Sequence, residues 1–183
     1  MGIAVGCAVS CLVLAPRTLG AQASAVARQD TTPRPAAVAV SDWYSRRLAI
    51  HRITAYTIPP LFLGQYLVGQ RLYRDVNKPG GPPDWVRPTH QVGAALIGTA
   101  FAVNATTGIW NLWTARHEQQ DRAIRVLHGV SMLAAAGGFT YAGVRLAEQA
   151  EHSAEKRREH RQVAAVSMGV TLLSGTMMWW INR

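Results

Sequence analysis

Apolar residues in this chain are gathered into long windows that contain no charged residue, and the charged residues are gathered between these windows. Four windows follow one another: residues 53–70, 88–115, 126–144 and 162–182, with an Arg on each flank. A helix needs about 20 apolar residues to cross the hydrocarbon core of a bilayer. The pattern therefore predicts an all-α fold, an integral membrane bundle of four transmembrane helices.

The tryptophans support this prediction, because all six lie near window ends, as in the aromatic belts of membrane proteins. They are Trp43, Trp85, Trp110, Trp113, Trp179 and Trp180. Pro59 and Pro60 fall inside the first window and predict a kink or local unwinding there. The Pro- and Gly-rich residues 77–83 predict the loop between the first two helices.

The N-terminal region is unlike the rest of the chain. Residues 3–15 are apolar, Pro16 and Arg17 follow, and small residues come next, which is typical of a secretory signal peptide over residues 1–25. An uncleaved anchor is the alternative. Residues 26–41 are rich in Pro, Thr and Ala and predict a disordered external tail, which leaves residues 42–183 as the transmembrane domain. Cys7 and Cys11 are the only cysteines, so a processed chain would have none with which to bind a cofactor.

The chain is basic, with 19 Lys and Arg against 10 Asp and Glu. Most of these cations flank apolar windows, where they meet lipid headgroups and set topology. No basic helix face suggests nucleic acid, so the expected partner is membrane lipid. With the signal peptide cleaved, we expect a bacterial inner-membrane protein with its N-terminus outside.

Four of the six histidines lie near the N-terminal ends of four different helices, whereas His117 and His152 fall in predicted loops. The four are His51, His90, His128 and His160. Because successive helices run in opposite directions, His51 and His128 are predicted to lie at one membrane level, and His90 and His160 at the other.

Two neutral imidazoles from separate helices supply both axial ligands of a six-coordinate haem iron, a site suited to electron transfer. Two pairs therefore predict two non-covalent haem b groups, with the four histidines as iron ligands. Small residues on the His160 face of the fourth helix would leave room for a porphyrin. They are Ala164, Ser167, Thr171, Ser174 and Gly175. Arg47, Arg52 and Arg125 are the predicted propionate partners on the outer side, and Arg87, Arg158 and Arg161 those on the inner side.

The order and spacing of these histidines resemble the cytochrome b561 family over residues 47–181. The likeness is carried by His51 before Arg52, His90 before Gln91, His128 before Gly129 and His160 before Arg161. The resemblance implies a four-helix core in which the first helix shares one haem with the third, and the second helix shares the other haem with the fourth. Residues 127–130 lack the serine-rich signature of ascorbate-using members.

These observations predict transmembrane electron transfer through two bis-histidine b-type haems, between a donor and an acceptor on opposite membrane faces. A quinone or a redox protein is the expected partner, and reaction with a quinone would make the chain an oxidoreductase. One alternative is a non-catalytic subunit that anchors and wires a larger redox complex, respiratory or photosynthetic. Another is a haem-free helical scaffold.

Overall fold

The computed structural model describes residues 41–181, which fall in helices and in the short connections between them. The helices are α1 (Asp42–Asp75), α2 (Val86–Thr114), α3 (Arg122–Thr140), α4 (Ala147–His152) and α5 (Ala154–Ile181). A π-helical segment, Tyr141–Leu146, joins α3 to α4 without a break. Over the described residues the fold is thus an all-α bundle of four long helices without a strand, as predicted. The predicted signal peptide, and the predicted tail up to residue 40, lie outside the described residues.

Three of the long helices are long and apolar enough to cross a membrane. They are Val86–Thr114, Arg122–His152 and Ala154–Ile181. Helix α1 has 34 residues but is not among them, because Gln65, Gln70 and two prolines reduce its mean hydropathy. The composition is that of a membrane protein, and the crossing of α1 stays a prediction.

Large apolar side chains cover the outer faces of the bundle. Ile53, Val144 and Leu173 are 66%, 71% and 74% exposed. Faces of this kind make a water-soluble monomer associate, whereas in a bilayer they are the surfaces that lipid tails solvate.

The third and fourth long helices extend further than the charge-free windows predict. The third continues past Arg145 to His152, and α5 begins at Ala154, so that Ser153 alone separates them. Ion pairs on the helix surface, such as Lys156 with Glu159 at 2.8 Å, allow charged turns to remain helical. The prediction of a longer loop containing His152 was therefore wrong.

Helix α1 is also helical throughout its length, so the local unwinding predicted at Pro59 and Pro60 does not occur. The hydroxyl of Thr57, just before the two prolines, donates to the carbonyl of Thr54 at 2.7 Å. Ser41 caps the start of α1: its Oγ accepts a hydrogen bond from the backbone N–H of Tyr44, which satisfies one of the free N–H groups at a helix start.

The closest packing lies within two antiparallel hairpins, α1 with α2 and α3 with α5, and the two hairpins contact each other less extensively. Between them lies the core cluster of Ile58, Phe62, Ile97, Ala100, Phe101 and Ala135. Of the predicted small-residue face on α5, the buried members are Ser167, Thr171 and Ser174, whereas Gly175 is exposed. The hairpin arrangement brings histidines of different hairpins together across the interface.

Candidate cofactor site

The structure places the four histidines in the two predicted pairs. The ring centroids of His51 on α1 and His128 on α3 are 6.4 Å apart, with an interplanar angle of 79°. Those of His90 on α2 and His160 on α5 are 6.2 Å apart, at 61°. We call these the His51–His128 pair and the His90–His160 pair. Each pair joins one hairpin to the other, whereas His117 and His152 belong to neither.

Hydrogen bonds fix the ring orientation in the α3–α5 hairpin. Nδ1 of His160 lies 2.9 Å from the backbone carbonyl of Ala142. Nδ1 of His128 lies 2.8 Å from Oγ of Ser174 and 3.3 Å from the carbonyl of the same residue. A carbonyl only accepts, so Nδ1 of His160 carries the hydrogen and Nε2 keeps the lone pair that binds a metal. The same contacts favour this tautomer at His128.

His51 is held in the same way by α2. Its Nδ1 lies 3.1 Å from the hydroxyl oxygen of Thr107, and that hydroxyl donates to the carbonyl of Val103 at 2.8 Å. With its hydrogen used there, the Thr107 oxygen accepts from Nδ1–H. The backbone of Asn104 also interacts with the same ring. Donation from the second ring nitrogen to an oxygen is what orients histidines that bind metals.

Two glycines let the rings lie close against the partner helix. A Cβ at position 108 would be 3.1 Å from Cε1 of His51, and a Cβ at position 69 would be 3.1 Å from Cε1 of His90. Each contact is tighter than ordinary van der Waals packing. Gly108 and Gly69 therefore shape the space around these two imidazoles.

The spacing of the paired rings fits a bis-histidine haem. A metal–imidazole bond is about 2 Å long and the nitrogen lies about 1.1 Å from its ring centre, so two imidazoles on opposite sides of one metal have centroids about 6.3 Å apart. The observed 6.4 and 6.2 Å agree. No group of three or more His, Cys, Asp or Glu that could hold a metal occurs among residues 41–181; a bis-histidine haem uses only two protein ligands.

The predicted arginines fall into different environments. Arg47 is 6% exposed; its Nε donates to Oδ1 of Asn111 at 3.4 Å and Nη2 to Oγ1 of Thr114 at 3.1 Å. Its guanidinium also lies 4.9 Å from the ring centre of Trp110, a cation–π contact. Arg52 is exposed. Arg47 is thus the buried cation nearest in sequence to His51.

Three of the other predicted arginines already have polar or aromatic partners. Arg125 contacts Glu118, at 2.8 Å to its carbonyl and 3.7 Å to its carboxylate. Arg87 pairs with Glu151 at 2.7 Å. Arg161 stacks over Tyr73 at 5.1 Å and reaches the side-chain oxygen of Gln70 when that amide is oriented to accept its N–H groups. Arg158 is exposed. Their propionate roles stay predictions.

A further spacing repeats along the helices and was not among the predictions from the sequence. Phe62, Phe101 and Phe139 each follow the histidine of their helix by eleven residues, and they pack together with centroids 5.1–6.3 Å apart. The buried Thr171 stands at that position after His160. The three phenylalanines therefore form a layer in the bundle core, at a constant distance along each helix from its histidine.

A second spacing concerns the hydrogen-bond partners of the rings. The residues fourteen positions after the four histidines are Gln65, Asn104, Ala142 and Ser174. Each contacts the histidine of the other helix in its hairpin. The four residue types differ, so this shared spacing is recognised from the contacts in the structure.

Comparisons of the chain with protein-family models, with curated proteins and with solved structures found no match.

Proposed function

We propose that this chain carries electrons across a membrane through two haem b groups, one held by the His51–His128 pair and one by the His90–His160 pair. The observation that supports this most directly is the ring spacing of 6.4 and 6.2 Å in the two pairs. Both values match that of two imidazoles on one iron. The resemblance to the cytochrome b561 family belongs to the same proposal.

In this proposal the protein binds the two haems, orients the histidine rings and shields the sites from water. Nδ1 donors on His51, His128 and His160 keep each Nε2 free to bind iron, and the glycines at 69 and 108 keep two rings close to the helix backbone. A haem held by both histidines of a pair would supply one-electron redox chemistry, and the two imidazoles would leave it no site for oxygen. The apolar bundle excludes water, which raises the cost of any uncompensated charge near the pairs.

The buried Arg47 is the chain's best-placed cation for a propionate. Among residues 41–181 its hydrogen-bond partners are the neutral side chains of Asn111 and Thr114, so a carboxylate would relieve an uncompensated charge. The electron donor and acceptor are proposed to be a quinone or a redox protein at opposite membrane faces, either in free diffusion or within a larger complex. The bacterial inner membrane, with the N-terminus outside, is the proposed location.

The test is an absorption spectrum with a haem-to-protein ratio for the full chain purified from membranes. We expect two low-spin haems per chain. His51→Ala or His128→Ala should each remove one, and His90→Ala or His160→Ala the other. His117→Ala and His152→Ala are matched controls that should keep both. A colourless protein, or full haem content in all four variants, contradicts the proposal.

A further inference from the structure

His90 differs from the other three paired histidines in its hydrogen bonding. Its Nδ1 is buried and has no hydrogen-bond partner among residues 41–181, whereas His51, His128 and His160 each have an oxygen within 3.1 Å of Nδ1. The two pairs are therefore unequal, although their ring spacings are nearly the same.

Gln65 occupies the other side of the His90 ring. Its Nε2 donates to the backbone carbonyl of His90 at 3.1 Å and lies 3.5 Å from Nε2 of the ring. Because the carbonyl only accepts, the Gln65 nitrogen is the donor, and its second hydrogen faces the lone pair of His90 Nε2. The hydrogen of the ring is then on Nδ1, where it lacks an acceptor.

The sequences of α1 and α2 differ at the position that supplies the acceptor on Nδ1. Thr107, which accepts from His51, lies seventeen residues after His90; the corresponding position, seventeen residues after His51, is Val68. The neighbouring positions match, since Gly108 lies against His51 and Gly69 against His90. Where α2 supplies a hydroxyl oxygen to His51, the corresponding side chain of α1, Val68, has no hydroxyl to offer.

We propose that the contrast between Thr107 and Val68 gives the His90–His160 site the higher reduction potential of the two. This inference rests on the proposed function. An acceptor on Nδ1–H makes an imidazole a stronger donor to the metal, which favours the oxidised iron and lowers the potential. His90 lacks that acceptor among residues 41–181. The Gln65 amide faces the single Nε2 lone pair and would have to release it for iron to bind there.

The consequence is a preferred position for the electron. In a chain that holds one electron, the electron leaves the His51–His128 site and reduces the His90–His160 site, and no proton or further reactant is required. Outer contacts to metal ligands change binding or activity by about tenfold or more. A tenfold preference corresponds to about 59 mV for a one-electron couple.

The experiment is a potentiometric titration of the full chain with its haems, followed by absorption. We expect two components, with the higher one absent in His90→Ala and the lower one absent in His51→Ala. Thr107→Val should raise the potential of the His51–His128 site. Val68→Thr should lower the potential of the His90–His160 site by supplying the missing hydroxyl. These changes keep side-chain shape, so both haems should be retained. Thr106→Val and Leu67→Thr, at exposed neighbouring positions, are controls that should leave both potentials unchanged.

The outcomes separate the two proposals. A chain without haem contradicts the proposed function itself. Two haems with equal potentials, or with the higher potential at the His51–His128 site, contradict only the present inference. So does a Val68→Thr variant that keeps both haems and both wild-type potentials.

Discussion

Gly108 lies so close to His51 that a Cβ at this position would be 3.1 Å from Cε1 of the imidazole. Gly69 bears the same relation to His90, and each glycine follows the histidine of its own helix by eighteen residues. Helix α1 thus supplies His51 and, at Gly69, the backbone surface against which His90 lies. Helix α2 supplies His90 and, at Gly108, the surface against which His51 lies.

Enlarging either glycine should disturb only the site it faces. We expect Gly108→Val to displace the ring of His51 and reduce haem content at the His51–His128 site, and Gly69→Val to do the same at the His90–His160 site. The measurement is the haem-to-protein ratio. Gly98→Val and Gly64→Val are controls, because a Cβ there meets no atom of the described part of the chain within 4 Å. Equal haem loss in all four variants would show a general packing effect.

Arg47 should bind an anion at the His51–His128 site. Its guanidinium is buried, and no carboxylate pairs with it among residues 41–181. We expect Arg47→Met to weaken haem retention at this site by about tenfold and to leave the His90–His160 site intact. Release of haem to an acceptor protein measures this. The exposed Arg46 provides the control Arg46→Met; unchanged release from Arg47→Met would exclude a propionate contact.

The sequence predicted the helices and the histidine pairs because both depend on simple periodic rules. Charge-free windows locate membrane helices, and antiparallel order alone places His51 level with His128. The predicted helix ends were less accurate, since the partly exposed charged turns around Lys156 and Arg157 are helical and the window rule stops at the first charge. Hydropathy cannot detect such turns.

The hydrogen bonds of the rings could not be predicted from windows or composition. Whether Nδ1 of His51 meets Thr107, or that of His160 meets the carbonyl of Ala142, depends on helix rotation and axial shift. Ala142 lies in the π-helical segment, a local widening that is common at functional sites and has no clear signature in this sequence. The register between helices decides these contacts.

The proposed topology can be tested with single cysteines, because Cys7 and Cys11 are the only native ones and can be changed to serine. Ser45, Asp84 and Gln119 are exposed and lie at the start of α1 and in the connections after α1 and α2. We expect an impermeant maleimide to label Ser45→Cys and Gln119→Cys in intact spheroplasts, but Asp84→Cys only after permeabilisation. If Ser45→Cys behaves like Asp84→Cys, α1 does not cross the membrane.

Asp75 should make the connection after α1 sensitive to acid. A hydrogen bond from Lys78, at 2.6 Å, and the charges of Arg71 and Lys78 lower the pKa of this carboxyl group. Because the folded-state pKa is depressed, the stabilisation is complete above the unfolded-state value of about 3.9 and is lost as pH falls through the folded-state value.

We therefore expect hydrogen exchange in residues 76–83 to increase as the pH is lowered towards and below 4, after correction for the intrinsic pH dependence of exchange. In Asp75→Asn the corrected exchange should already be fast at neutral pH and should not increase further. The exposed Asp84 gives the control Asp84→Asn, which should behave as wild type. A wild-type acid response in Asp75→Asn would assign the sensitivity to another group.

The phenylalanine layer should determine stability separately from haem ligation. Phe62 is 3% exposed, and its ring centroid lies 6.3 Å from that of Phe101 and 5.4 Å from that of Phe139. Phe62→Ala leaves a cavity that the helices fill only in part, and a loss of about 3–5 kcal/mol in unfolding free energy is expected for a buried phenylalanine. Thermal unfolding in detergent measures this as a lower midpoint. Leu63→Ala, at a position 62% exposed, should change the midpoint much less. Because Phe62 contributes no ligand, the folded variant should still bind two haems; loss of one haem without a change in midpoint would instead place Phe62 at a haem site.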